Sequence, residues 1–309
     1  MPTRSTKSTI SVLLWCLVAA ASSTFAEEQK KVFGDLDCQI MSTGAGRVVK
    51  LDKDGNELWS YKGKNVSDVW LLPNGNVLFA DNNAQEIDPK TNKVVWSYKP
   101  ENGKGGGTFG VQRLENGLTM VAENSTGRIL EVDKSGKIVF EMQLPLTKVG
   151  SHNNFRHCRK LKNGNYLVTH KGSKLVREYT PKCEVVQEIE VSNAAFSAVR
   201  LPNGNTVVGH VDGVTEYDRD GKATWTFSTT ELPDGVTTGF ICGIHCLDNG
   251  NIVCGIYRVP TKDKNGAGLF EITREKKLVW RYIHPKADRY MMGVQKLTPE
   301  GKATATTLR

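Results

Sequence analysis

Six acidic and imidazole side chains, Asp68, Asp81, Glu123, His157, His170 and His210, flank Asn-Gly pairs along this chain and are its first candidates for chemistry. In a two-residue Asn-Gly hairpin both central residues take φ > 0. That register sets His157 opposite His170, Asp68 opposite Asp81, Gly110 opposite Glu123 and Ser197 opposite His210. Imidazoles and carboxylates meeting at one level can hold a divalent metal or act as acid and base. His157, His170, His210 and Glu123 are the candidate metal ligands. Arg156, Lys171 and Arg258 lie beside that level and complete the candidate ligand-binding set.

The elements that must position these residues repeat along the chain. Asn-Gly recurs at Asn74, Asn116, Asn163, Asn203 and Asn249, each two residues after a leucine: Leu72, Leu114, Leu161, Leu201 and Leu247. Short apolar strands flank each turn. A third strand reads Glu86-Ile87-Asp88, Glu131-Val132-Asp133 or Glu216-Tyr217-Asp218, and a fourth carries Trp59, Trp96, Phe140, Gln187, Trp225 or Trp280. Four strands per unit, at intervals of roughly 40–50 residues, spell a β-propeller. The expected fold is all-β: six four-stranded antiparallel blades, with strands A to D running from the axis outward. The tryptophans are expected to pack between blades, because a large apolar face must be buried.

The first unit lacks a strand A. Residues 290–297 can supply it, so that pairing N- and C-terminal strands closes the ring and removes free edges. Residues 298–309 compete for the first strand B. The start of strand A and the end of strand B share one rim near the axis, so the candidate residues open on a funnel. Segments 102–107, 229–238 and 257–268 open on the same side, where long loops carry recognition. The structural alternative is that the same polar groups tie loops to neighbouring blades.

Residues 1–26 read as a secretory signal, with Arg4 and Lys7 ahead of an apolar run too short to span a bilayer and Ala26 at the cleavage site. Residues 27–309 are then one exported propeller domain, periplasmic or extracellular, not membrane-spanning and monomeric. The formal net charge of +8 is scattered over all units, with no zinc finger or RNA-binding motif, so nucleic acid is not an expected partner. After the signal there remain Cys38, Cys158, Cys183, Cys242, Cys246 and Cys254. Their spacing names no pairing, and no CxxC occurs.

The repeats resemble those of the PQQ-like propellers, and the Leu-Pro-Asn-Gly-Asn, Glu-Tyr-Asp, Gly-Lys and Trp run also resembles the arylsulfotransferase-like propellers. The PQQ dehydrogenases of this class carry adjacent cysteines and eight blades. This chain has neither, so no cofactor is expected, PQQ included; a divalent metal stays open. The arylsulfotransferase-like pattern implies a His early in strand A, matched by His157, and an Arg past strand B, where Lys171 stands without arginine's planar fork. The expected function is a binding or scaffolding module, taking a small molecule, carbohydrate or protein at the top-face funnel. The alternative is an arylsulfotransferase-like or metal-dependent lyase or hydrolase on the same face.

Overall fold

A computed structural model describes residues 1, 31–44, 46–100, 107–146, 150–259, 265–283, 290–304 and 308–309. Residues 2–26 of the expected leader lie outside these. No described helix is long and apolar enough to cross a membrane.

The chain folds into six antiparallel blades around one axis. Blades 2 to 6 span residues 68–98, 108–143, 158–190, 195–228 and 240–282. In blade 1, strand A is Val294–Lys296, followed by Ile40–Gly44, Arg47–Leu51 and Glu57–Lys62. The C-terminal segment thus closes the ring, with Gln295 opposite Met41. A second closure is not evident from the repeats: Val32–Gly34 adds a fifth strand outside blade 6, along Leu278–Tyr282. Residues 298–304 do not take the strand B place. They form a turn in which Thr298 N donates to the Lys302 carbonyl, as Leu72 N does to Asn76. Ile40–Gly44 holds the place because it runs straight into strand C and is buried along its whole length.

The Asn-Gly turns correct the expected register. Only the glycine takes a positive φ, 87° at Gly75 and 88° at Gly164. Gly75 N donates to the Leu72 carbonyl, Leu72 N donates to the Asn76 carbonyl, and the Asn74 side chain accepts from Asn76 N. This is a three-residue loop, a type I turn ending in a left-handed glycine, and Pro73 stands where that turn favours proline. Every pairing therefore moves by one residue. Asp68 faces Ala80 rather than Asp81, and Gly110 faces Ala122, with Glu123 opposite Thr108. Ser197 faces Gly209, with His210 opposite Ala195. Cys158 faces Val168, and His157 exchanges bonds with Thr169 rather than facing His170. A one-residue slip sends side chains to opposite faces, so His157 and His170 do not form a pair.

The blades are stitched by a repeated clasp. A strand C glutamate accepts from an asparagine in its own A–B turn and from a base on the next blade. Glu86 binds Asn76 and Arg113, Glu178 binds Asn165 and Arg200, and Glu216 binds Asn205 and Arg274. Blade 1 has Lys50 in the glutamate's place, and strand A of blade 2 has Leu71 in the base's place. Lys50 instead reaches the Gly301 carbonyl. The fourth-strand aromatics also bridge blades. Trp59, Trp96 and Trp225 each donate to the next blade's C–D turn, at Asn92, Asp133 and Arg274, and Gln187 does the same to Arg219.

Strand A of blade 6 runs hard against strand A of blade 1. A Cβ at Gly243 would lie inside the van der Waals shell of the Met292 carbonyl oxygen. Gly243→Ala is expected to cost about 1–3 kcal/mol through this overpacking, read as a lower urea midpoint; an unchanged midpoint would show that the closing segment yields freely.

Candidate functional site

The funnel is built by one repeated position. Five residues before each turn leucine stand Ser67, Phe109, Arg156, Phe196 and Cys242, with Met292 at the matching place before Leu297. In blades 3, 5 and 6 the register breaks there, leaving Phe109, Phe196 and Cys242 as the extra residue of a β-bulge. Bulges re-aim side chains and occur beside functional sites. Here two of the re-aimed side chains, Phe109 and Phe196, meet at the Arg156 guanidinium.

Arg156, donated by blade 4, is buried, with its guanidinium 4.4 Å from the Phe109 ring centre and 5.8 Å from that of Phe196. Lys171, just past strand B of the same blade, lies 5.5 Å from the Phe196 ring and donates to Asn153. Arg258, past strand B of blade 6, rests on Phe240 and Tyr257 at 5.3 and 5.7 Å. Arg258 adopts φ 60°, in the left-handed region. A Cβ at Gly239 would collide with the Tyr257 and Arg258 carbonyls, so this glycine lets the two segments approach. Phe240 stacks on Phe196 at 6.2 Å and meets Tyr257 at 6.1 Å. His152 packs edge-on to Phe109.

Among the described residues, no carboxylate pairs with Arg156, Lys171 or Arg258. Burial pushes the Arg156 pKa down, and only Cys242 and Tyr257 act in the other direction. Burial and then Arg156 lower the Lys171 pKa, with Arg258 adding to the effect. Partial burial against Phe109, followed by Arg156 and Lys171, holds His152 at about 4. Arg156, Lys171 and Arg258 thus form a cationic group set against aromatic rings and paired with no described acid.

One residue deeper the axis is filled. Asp68 forms an ion pair with Arg159 at 2.8 Å and accepts from Val111 N. Arg159 and Arg309 both lie on the Trp70 ring, at 4.9 and 4.3 Å. Arg309 donates to the carbonyls of Val294 and Val69, and its own carbonyl accepts from Arg159. His157 edges this floor. Burial, then Arg159, holds it at about 3, and its Nδ1 has no hydrogen-bond partner among the described residues.

The remaining sequence candidates are held by bonds within their blades and to adjoining segments. Asp81 accepts from Asn83 N, Lys64 N and Gln85, and so pins the loop after strand B. Glu123 pairs with Arg128 at 2.8 Å and accepts from the Tyr98 hydroxyl. His170 bonds the Tyr179 hydroxyl at 2.9 Å, and His210 bonds Thr215 at 3.0 Å. His157, His170, His210 and Glu123 are therefore not gathered, and no described group of three or more metal-capable side chains comes together. Arg156, Lys171 and Arg258 are brought together. Phe109, Phe196, Phe240, Tyr257 and Cys242 were not among the sequence candidates. Counting five residues back from each turn leucine finds Phe109, Phe196 and Cys242.

This architecture defines a six-bladed β-propeller with a cationic top funnel. A family model described as outer membrane protein assembly factor BamB matches residues 22–160. No curated protein matches the chain. Among solved structures, a protein of unknown function from Bacteroides caccae has a TM-score of 0.73 at 21% identity, over 84% of this chain and 98% of that one. Streptogramin B lyase has a TM-score of 0.60 at 14% identity, over 88% of each chain. Virginiamycin B lyase from Staphylococcus aureus, as a catalytically inactive variant with quinupristin, has a TM-score of 0.56 at 14% identity, over 83% of this chain and 90% of that one. These structural likenesses are of fold. The chain is a β-propeller repeat protein that is similar to the PQQ-like family over residues 22–160.

Proposed function

We propose that this protein is an exported, envelope-associated binding module that recognises an anionic ligand in its top funnel. The observation that carries the reading is Arg156, a buried guanidinium with no described carboxylate partner, set beside Lys171 and Arg258. A buried cation normally has a counter-charge, and a ligand supplies it here. The envelope assignment rests on the family description and on the signal read at residues 1–26. The test is calorimetric titration with sulfate and phosphate against neutral sulfone and amide controls. Saturable binding of anions alone supports the reading. Absence of binding, or turnover of an aryl sulfate, would replace it.

The same site predicts a pH dependence. Arg156 and Lys171 help to hold His152 near 4 in the free protein. A bound anion screens that repulsion and raises the imidazole pKa, so the complex takes up a proton. Sulfate affinity should therefore rise, about two- to five-fold, as pH falls from 7 to 5. Titrations at both pH values check the sign, and the increase should vanish in His152→Gln.

A further inference from the structure

In blades 1 to 5 strand D is the last strand of its sheet among the described residues and presents an open edge. Blade 6 differs. There Val32–Gly34 pairs along Leu278–Tyr282, and Asp35 N donates to the Val279 carbonyl. Leu278 and Val279, the two residues before Trp280, are partly buried and packed on the core. The same two places hold Val94 and Val95 before Trp96 in blade 2, and Val185 and Val186 before Gln187 in blade 4. All four valines are exposed, and they are the only consecutive large apolar residues left exposed among the described residues. In blade 5 the places hold Ala223 and Thr224.

The two uncovered edges carry opposite charge. Glu86 faces Trp96 and Glu178 faces Gln187 across strands C and D, so Trp96 and Gln187 are equivalent. On that alignment Lys93 matches Glu184, and Lys99 matches Glu190. All four are exposed, and none makes an ion pair among the described residues. Glu184 accepts a bond from the Thr180 hydroxyl. Charges along an open strand guard it against pairing with its own kind. The blade 2 edge set against itself puts lysine beside lysine in either strand direction. The blade 4 edge set against itself puts glutamate beside glutamate. Blade 2 set against blade 4 puts lysine beside glutamate at both ends.

We infer that the protein binds a second copy of itself edge to edge, strand D of blade 2 in one copy lying parallel beside strand D of blade 4 in the next. In that register Lys93 meets Glu184, Val94 meets Val185, Val95 meets Val186 and Lys99 meets Glu190. The valines leave water together, and the two open edges gain the backbone ladder that Val32–Gly34 gives blade 6. The contact is heterologous, so each copy keeps one edge free for a further neighbour. Strand D runs the same way in both copies, so the funnels open on one side of the assembly. The funnel residues take no part in the contact, so its failure leaves the anion reading untouched.

Sedimentation velocity at low ionic strength, over about 1 µM to 1 mM protein, is the test. The wild type should shift to larger species as its concentration rises. Lys93→Glu with Lys99→Glu leaves two acidic edges, and Glu184→Lys with Glu190→Lys leaves two basic ones. Each variant alone should associate about ten-fold or more weakly. An equimolar mixture of the two, and a single chain carrying all four substitutions, should both associate again. A wild type that stays monomeric over the whole range would overturn the inference. So would variants that associate as well as the wild type, or a mixture and a four-fold variant that both stay monomeric.

Discussion

Asp68→Ala is expected to lower the unfolding free energy by about 3–5 kcal/mol. Asp68 is the only side-chain carboxylate paired with the arginines that fill the axis among the described residues. It binds Arg159 through two oxygens, at 2.8 and 3.1 Å, and Arg309 lies on the same Trp70 ring. Removing it leaves two guanidinium groups in a buried cluster with no side-chain counter-charge, and burial already pushes Arg309 down to about 9. The loss comes from the stranded cations more than from the pair itself, so Asp68→Leu combined with Arg159→Met should recover part of it. The pH dependence follows the same pair. Burial tends to raise the Asp68 pKa, but Arg159, with His157 and Arg309, holds it below its ordinary value. Its stabilisation is complete above about pH 4 and is lost as pH falls through the depressed value. Urea unfolding at pH 7 and pH 3 should show the wild type and Asp68→Ala far apart at the first and closer at the second. Equal stabilities at pH 7 would show that the axis is solvated.

Glu271→Ala should cost about 3 kcal/mol and should act mainly on ring closure. Glu271 is buried in blade 6, where it accepts from Trp280 Nε1 at 2.7 Å, Asn251 Nδ2 at 2.7 Å and Lys296 Nζ at 2.8 Å. Lys296 belongs to the strand that completes blade 1, so this clasp is the one that joins the two ends of the ring. The equivalent Glu178 joins two blades that are also continuous in sequence. Glu271→Ala should therefore speed amide exchange in Val294–Lys296 and Ile40–Gly44, where opening needs no global unfolding. The buried Cys38 thiol, packed beside Lys296 and Glu271, should become reactive to a thiol reagent at the same time. Glu178→Ala should leave that thiol protected. Equal protection of Cys38 in both variants would show that the closure does not depend on the clasp.

The blade count, the closure by the C-terminal strand and the inter-blade aromatics were legible because each rests on short-range periodicity. The turn leucine, the strand C glutamate and the strand D aromatic recur in independent registers, and three buried strands with a half-exposed fourth per unit leave few other folds. The site was legible only in part. Arg156, Lys171 and Arg258 stand near the ends of strands A and B, so topology alone brings them to the funnel. The histidine and carboxylate level was misplaced by the turn. Asn-Gly suits both a two-residue and a three-residue loop, and the Pro73 and Pro202 that favour the longer form precede only two of the five pairs. One residue of error reverses every side chain, which turned His170 and His210 from the funnel toward Tyr179 and Thr215. The axis filling was not readable, because Asp68, Arg159 and Arg309 come from three distant parts of the chain. The fifth strand on blade 6 was hidden for a simpler reason: Val32–Gly34 is too short to carry a period of its own.

The central claim is that Arg156 is held in the funnel for an anion and not for the fold. Urea unfolding of the wild type and Arg156→Met, each in sulfate-free buffer and in saturating sulfate at constant ionic strength, tests it most directly. A buried cation without a described counter-charge should detract from stability, and a linear side chain of similar length can still pack on Phe109 and Phe196. The account predicts that Arg156→Met is at least as stable as the wild type without sulfate, and that sulfate stabilises the wild type alone. A variant that loses several kcal/mol without sulfate, or that gains as much from sulfate as the wild type does, would contradict it.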